Sequence, residues 1–236
     1  MRDKSIIRWG IIGAGDIAER VTAPAMASAA HSELVAVMRR DRTAAEEFAG
    51  RHGASRAYDR VEGLLGDPEI DAVYVATPVE RHCPDVLAAA TSGKHILCEK
   101  PIAVTVDEAR RMIDAADAND VVLVEAFTHR WNPHLRKGRT LISEGAIGRV
   151  TSLYSALTGQ PPRRGNYSYS PELAGGALMN RGCYPVYACR FVLGEEPIRA
   201  AGFSFDGGGY GVDTTFTGLL EFPGGAVAHV LGSMEQ

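Results

Sequence analysis

The chain is poor in cysteine, with Cys83, Cys98, Cys183 and Cys189 as the only four in 236 residues. They form no CxxC pair, and their spacings suit neither a disulfide framework nor a zinc site. Reduced thiols in a cytoplasmic protein are the expectation. No apolar run reaches the roughly 18 residues that a membrane span needs. The opening, MRDKSIIRWG, lacks the apolar stretch and small-residue end of a signal peptide. No block of like charge stands apart: 25 Lys and Arg face 29 Asp and Glu, for a formal net charge of −4. That balance offers no footprint for nucleic acid or membrane and favours a small-molecule partner. His129 and His134 have no neighbouring acids at ligand spacing, so no metal is expected. A serine nucleophile elbow and a GxxxxGK[ST] phosphate loop are also missing.

What is present is ordinary globular material, 45% hydrophobic and 23% charged, which argues against disorder. From residue 8 to 128 one theme recurs: a short Val- and Ile-rich run, a turn, then a stretch with helical spacing. The runs are Trp9 to Gly13, Leu34 to Met38, Ala72 to Ala76, His95 to Cys98 and Val121 to Ala126. Strands buried on both faces and alternating with helices predict βαβ units, hence a doubly wound parallel α/β sheet of five strands. Beyond about residue 127 the texture shifts toward Gly, Pro, Tyr and Ser. A helix is predicted over Pro133 to Glu144. The runs Arg149 to Leu157, Ala200 to Asp206, Thr214 to Phe222 and Ala226 to Gly232 read as mostly antiparallel strands of an α+β domain. The expected division is therefore 1–127 for a nucleotide-binding domain and 128–236 for a substrate and oligomerisation domain.

The first strand runs into Gly13-Ala14-Gly15-Asp16-Ile17-Ala18, a GxGxxA pattern opening a helix. Gly13 permits a tight turn, Gly15 lets a pyrophosphate approach the backbone, and Ala18 allows the helix to pack closely on the strand. A plain glycine turn would share the pattern, but its place in the first βα unit favours a dinucleotide. An acidic residue ending the second strand would bind the ribose of NAD, whereas arginine accommodates the 2′-phosphate of NADP. Here Leu34 to Met38 is followed by Arg39-Arg40, and Asp41 comes too late. NADP is expected, with NAD as the alternative and two solvated arginines as the competing explanation.

With these features the sequence resembles the Gfo/Idh/MocA oxidoreductases, in the branch of glucose-fructose oxidoreductase, dimeric dihydrodiol dehydrogenases and xylose dehydrogenases. The resemblance rests on Ala76-Thr77-Pro78 with His82, on Glu99-Lys100-Pro101, on the stretch from Glu125 to Pro133, and on Gly175 to Pro185. It implies an NADP(H)-dependent oxidoreductase acting on a sugar, polyol, cyclitol or dihydrodiol. Thr77, Pro78, Glu99 and Lys100 close parallel strands, where ligands of such sheets bind. The resemblance puts Thr77, Pro78, His82 and Glu99 along the cofactor and Lys100 beside the nicotinamide. It makes Tyr184 the proton-transfer residue, a role for which a phenol of pKa near 10 needs a neighbouring ammonium such as Lys100. Asn180 stands where relatives carry aspartate, four residues ahead of the tyrosine; on a helix the two would share a face. It can orient a hydroxyl but cannot act as a base. Arg130 and Trp131 are candidates for substrate contact. Relatives continue past the point where this chain stops, so the second domain is expected to be incomplete, and the exposed face of its sheet to form a homodimer. The competing expectation is a non-catalytic NADP-binding protein or inactive remnant.

Overall fold

In the computed structural model, which describes residues 5–161, 163 and 165–235, the chain divides into two compact units, Met1–Ala126 and Phe127–Gln236. The first holds six parallel strands, one more than expected: β1 (Ile7–Ile12), β2 (Ser32–Met38), β3 (Arg56–Tyr58), β4 (Ala72–Val75), β5 (His95–Cys98) and β6 (Leu123–Glu125), in the order β3-β2-β1-β4-β5-β6. The order in which strands are added reverses between β1 and β4, the switch point at which doubly wound sheets bind ligands.

Successive side chains of a strand point to opposite faces, and both faces here are covered. Ile12, Val73, Val75 and Ile96 pack with Val86 of α4 (His82–Thr91) and Met112 of α5 (Val106–Ala118). Ile11, Val37 and Tyr74 pack on the other side with Ala18, Met26 of α1 (Ala23–Ser28) and Phe48 of α2 (Arg42–His52). The helix entering α1 passes through a π turn, Ala18–Thr22. A short α3 (Val61–Leu65) follows β3. Helix starts carry their own signals: Asp41 accepts from the Ala44 amide at 3.1 Å, and Thr105 with Glu108 forms a capping box.

The second unit opens with a 3-10 turn, Thr128–Trp131, and α6 (Pro133–Ser143), whose N-cap Asn132 accepts from the His134 and Leu135 amides. Its sheet has four strands, β7 (Ser152–Thr158), β8 (Arg199–Phe205), β9 (Thr215–Glu221) and β10 (Val227–Ser233), in the order β7-β10-β9-β8. The β8–β9 and β9–β10 pairs are antiparallel, as expected, but β7 runs parallel to β10. From β7 the chain passes through α7 (Cys183–Leu193), β8 and β9 before β10 is inserted beside β7. Cys189 of α7 packs on Leu220, Ala228 and Val230. A second π turn, Leu178–Gly182, leads into α7 and lies so close to the sheet that a Cβ on Gly232 would sit 2.7 Å from the Gly182 nitrogen. No helix among the described residues is long and apolar enough to cross a membrane.

Candidate functional site

At the end of β1 the Gly13 and Ala14 amides both donate to the Met38 carbonyl, at 3.1 and 3.2 Å, which pins the glycine turn against the end of β2. Gly13 has φ +85°, and a Cβ there would fall 2.7 Å from the Thr77 nitrogen, so backbone conformation and proximity both require glycine. Gly15 differs: a Cβ would meet only the Gly13 oxygen, at 3.8 Å. The space beside it is open, as the approach of a pyrophosphate requires. Ala18 is fully buried under the turn. Asp16 and Ile17 begin the helix at the surface, with Asp16 held by Arg20.

Beyond β2, Arg39 is half-buried and donates its amide to the Tyr58 carbonyl, and Arg40 is exposed. Neither guanidinium has a side-chain partner among the described residues. Asp41, the first acid after β2, spends its carboxylate capping α2. Two cations and a committed acid suit a 2′-phosphate better than a ribose diol.

The ends of β4 and β5 are joined by buried polar groups. The Thr77 hydroxyl donates to Asp85 at 2.9 Å, and Asp85, only 2% exposed, also receives Arg81 at 2.8 Å. His82 is sealed from solvent, with Nε2 2.9 Å from the Thr77 carbonyl oxygen and Nδ1 3.0 Å from that of Pro101. Its ring therefore serves the two loops on either side. Glu99 turns back beneath the sheet, where it accepts from the Tyr74 hydroxyl at 2.5 Å and from the Lys100 amide at 3.0 Å. Burial, with the Glu99 carboxylate facing it, pushes the Tyr74 phenol far above its ordinary value and keeps it a donor. The Lys100–Pro101 peptide is cis, and the Ile102 amide that follows donates to Glu125 at 2.9 Å. Lys100 thus sits on a loop whose backbone is held by a carboxylate on each side.

In the second unit Tyr184 lies in the first turn of α7, its ring 5.1 Å from Phe127 and 4.8 Å from His129 between centroids. Phe127 also stacks on Tyr187 at 4.3 Å. His129 has its Nδ1 buried without a hydrogen-bond partner among the described residues, and burial lowers its pKa, so the neutral ring is favoured near pH 7. Asn180 accepts from the Tyr167 hydroxyl at 3.2 Å and donates to the Gly176 carbonyl at 3.0 Å. The α-helical spacing expected between Asn180 and Tyr184 does not hold, because Asn180 lies in the wider π turn. Trp131 is 63% exposed, with the Arg130 and Arg136 guanidinium groups 6.0 and 5.9 Å from its ring. Tyr74 and Asp85 were not singled out by sequence, and Glu125 and His129 were given no role in the site. The described residues contain no cluster of three metal-ligating side chains.

Residues 7–127 match the family model described as "Oxidoreductase family, NAD-binding Rossmann fold", and residues 135–236 match the GFO/IDH/MocA C-terminal domain. The chain belongs to the Gfo/Idh/MocA oxidoreductase family. It is 37% identical to D-xylose 1-dehydrogenase (NADP(+)) 2 of Haloferax volcanii, over 96% of this chain and 69% of that protein. It is 38% identical to trans-1,2-dihydrobenzene-1,2-diol dehydrogenase of Xenopus laevis, over 92% and 66% respectively. Among solved structures, KijD10, a 3-ketoreductase from Actinomadura kijaniata in complex with NADP and TDP-benzene, superposes with a TM-score of 0.91 at 29% identity, covering 98% of this chain and 71% of that one. The chain thus spans about two thirds of its relatives' length, and it is an oxidoreductase of the dehydrogenase and reductase kind.

Proposed function

We propose that the protein is an NADP(H)-dependent oxidoreductase that interconverts a hydroxyl and a carbonyl on a sugar, a polyol or cyclitol, or a dihydrodiol, as a cytoplasmic homodimer. The observation that carries the cofactor choice is the end of β2, where Asp41 caps α2 and leaves Arg39 and Arg40 to meet a 2′-phosphate. The NADP named for the Haloferax and Actinomadura relatives supports it. The turn from Gly13 to Ala18 would hold the pyrophosphate, with Thr77, Pro78 and Glu99 completing the strand-end wall. When bound, the nicotinamide supplies the hydride chemistry.

The protein's own part is the proton. Tyr184 exchanges it at Oη with the substrate oxygen, and the Lys100 ammonium favours the phenolate that this exchange requires. Asn180 orients a substrate hydroxyl; Arg130 and Trp131 contact the rest of the substrate. Titration with NADP and NAD, followed by absorbance of the reduced nicotinamide across a panel of sugars and diols, tests the reading. NADP binding stronger than NAD, with turnover of at least one panel member, is expected. Binding without turnover on any of them would favour a non-catalytic nucleotide-binding protein.

A further inference from the structure

His82, sealed inside the first unit, touches both loops that carry expected site residues. Its Nε2 meets the Thr77 carbonyl, in the segment against which Gly13 is packed, and its Nδ1 meets the Pro101 carbonyl, one residue past Lys100. Carbonyl oxygens only accept, so a ring with one N–H donates to one of the two at a time, and only a ring carrying both N–H groups donates to both at once. Thr77 is held a second time through its hydroxyl by Asp85, one turn along the same helix. Both loops thereby face one rigid ring at the start of α4, which with both N–H groups in place ties them to each other.

We propose that His82 is a positioning residue that sets the Lys100 loop relative to the dinucleotide turn, contributing through two backbone carbonyls and making no contact of its own with cofactor or substrate. The proposal rests on Lys100 working at the reacting end, as argued above. A misplacement of about 1 Å there is enough to lower turnover about 100-fold.

Two amide substitutions separate the halves of the clamp. The amide nitrogen of asparagine stands as many bonds from Cβ as Nδ1, and that of glutamine as many as Nε2. His82→Asn keeps a donor toward Pro101 and gives up the one toward Thr77; His82→Gln does the reverse. Three readouts are followed well below each variant's unfolding transition: NADP affinity, kcat, and the rate of reductive methylation of Lys100 relative to the exposed Lys137 by mass spectrometry. For His82→Gln we expect NADP affinity within about twofold, kcat lower by about 10- to 100-fold, and a Lys100 to Lys137 ratio shifted at least about threefold. For His82→Asn we expect NADP affinity weakened by about tenfold and the lysine ratio unchanged. The proposal is overturned if both variants move affinity and lysine reactivity alike, or if neither moves either. A wild-type protein without NADP-linked turnover would sink the proposed function, while the lysine ratio would still decide the role of His82.

Discussion

A phenol, an ammonium and two guanidinium groups carry the proposed chemistry, and each can be removed with little change of shape. Tyr184→Phe keeps the ring against Phe127 and His129, so loss of the hydroxyl should lower turnover by about 10²- to 10⁴-fold, the range of general acid–base catalysis, with NADP affinity nearly unaltered. Lys100→Met should lower turnover too and move the basic-side activity pKa upward. If the two residues act as one unit, the double variant is little worse than the poorer single one. Near-normal turnover by Tyr184→Phe would place the proton transfer elsewhere. His82 would not inherit it, since both ring nitrogens already face carbonyl oxygens; His129, beside Tyr184, would be the next residue to test. At the other end of the site, replacing Arg39 and Arg40 by alanine removes charge-assisted contacts to a 2′-phosphate while leaving the Met38-anchored turn intact. NADP affinity should fall far more than NAD affinity, and calorimetric titration showing equal losses would mark these arginines as solvated only.

At the scale of elements, legibility in the sequence followed burial and length. Strands β1, β2, β4 and β5 could be read because parallel strands covered on both faces appear as unbroken Val and Ile runs. β3 could not: it is three residues of Arg-Ala-Tyr, half-buried, with no apolar run to announce it. The parallel β7–β10 pair was also out of reach, since pairing direction is settled by where the crossover returns. Both π turns were invisible because their residues, such as Ala18-Glu19-Arg20-Val21-Thr22, have ordinary helical composition. Local patterns revealed the glycine turn and the Lys100 loop, but not the groups behind them. Asp85, Tyr74 and Glu125 act on residues 8, 25 and 23 positions away, and only burial distinguishes them from surface acids and tyrosines. One such long-range pair makes an element-scale prediction. Glu19, just past the glycine turn, binds Arg51 through two hydrogen bonds and also meets His52, at the end of α2. The hydrogen bonds from Arg51 hold its carboxyl at about 2, against 4.5 for a free one. A depressed carboxyl stabilises the fold fully above the unfolded value and loses that contribution as pH falls from about 4.5 to about 2. Because the pair is partly solvated, the effect is at most about 1 kcal/mol. Glu19→Gln should therefore shift the urea midpoint slightly downward at pH 7 and not at pH 2; a gap of the same size at both pH values would refute the linkage.

At the scale of the whole molecule, the sheet of the second unit has two unlike faces. Leu220, Ala228 and Val230 lie inward on the core with α7. On the opposite face, register aligns Tyr154, His229, Leu219 and Ala201 in one row across the four strands, and Ala156, Leu231, Thr217 and Phe203 in the next. Tyr154 is 72% exposed and Phe203 83%, and Phe205 lies two residues further along β8 at 63%. Aromatic side chains so open to water are unusual for a monomer and typical of a surface that meets another copy. A two-fold interface needs a self-complementary patch, and these two neighbouring rows, with Tyr154, Leu219, Leu231 and Phe203 around His229, offer a mostly apolar one. Light scattering on the wild-type chain should return the mass of a dimer. Tyr154→Asp combined with Phe203→Asp would place four carboxylates in that interface, two from each copy, and should shift the population to monomer, because unpaired charges resist burial there. NADP affinity should stay within about twofold, since the glycine turn and its arginines belong to the first unit. A wild-type chain that remains monomeric at high concentration would leave this face without the partner proposed for it.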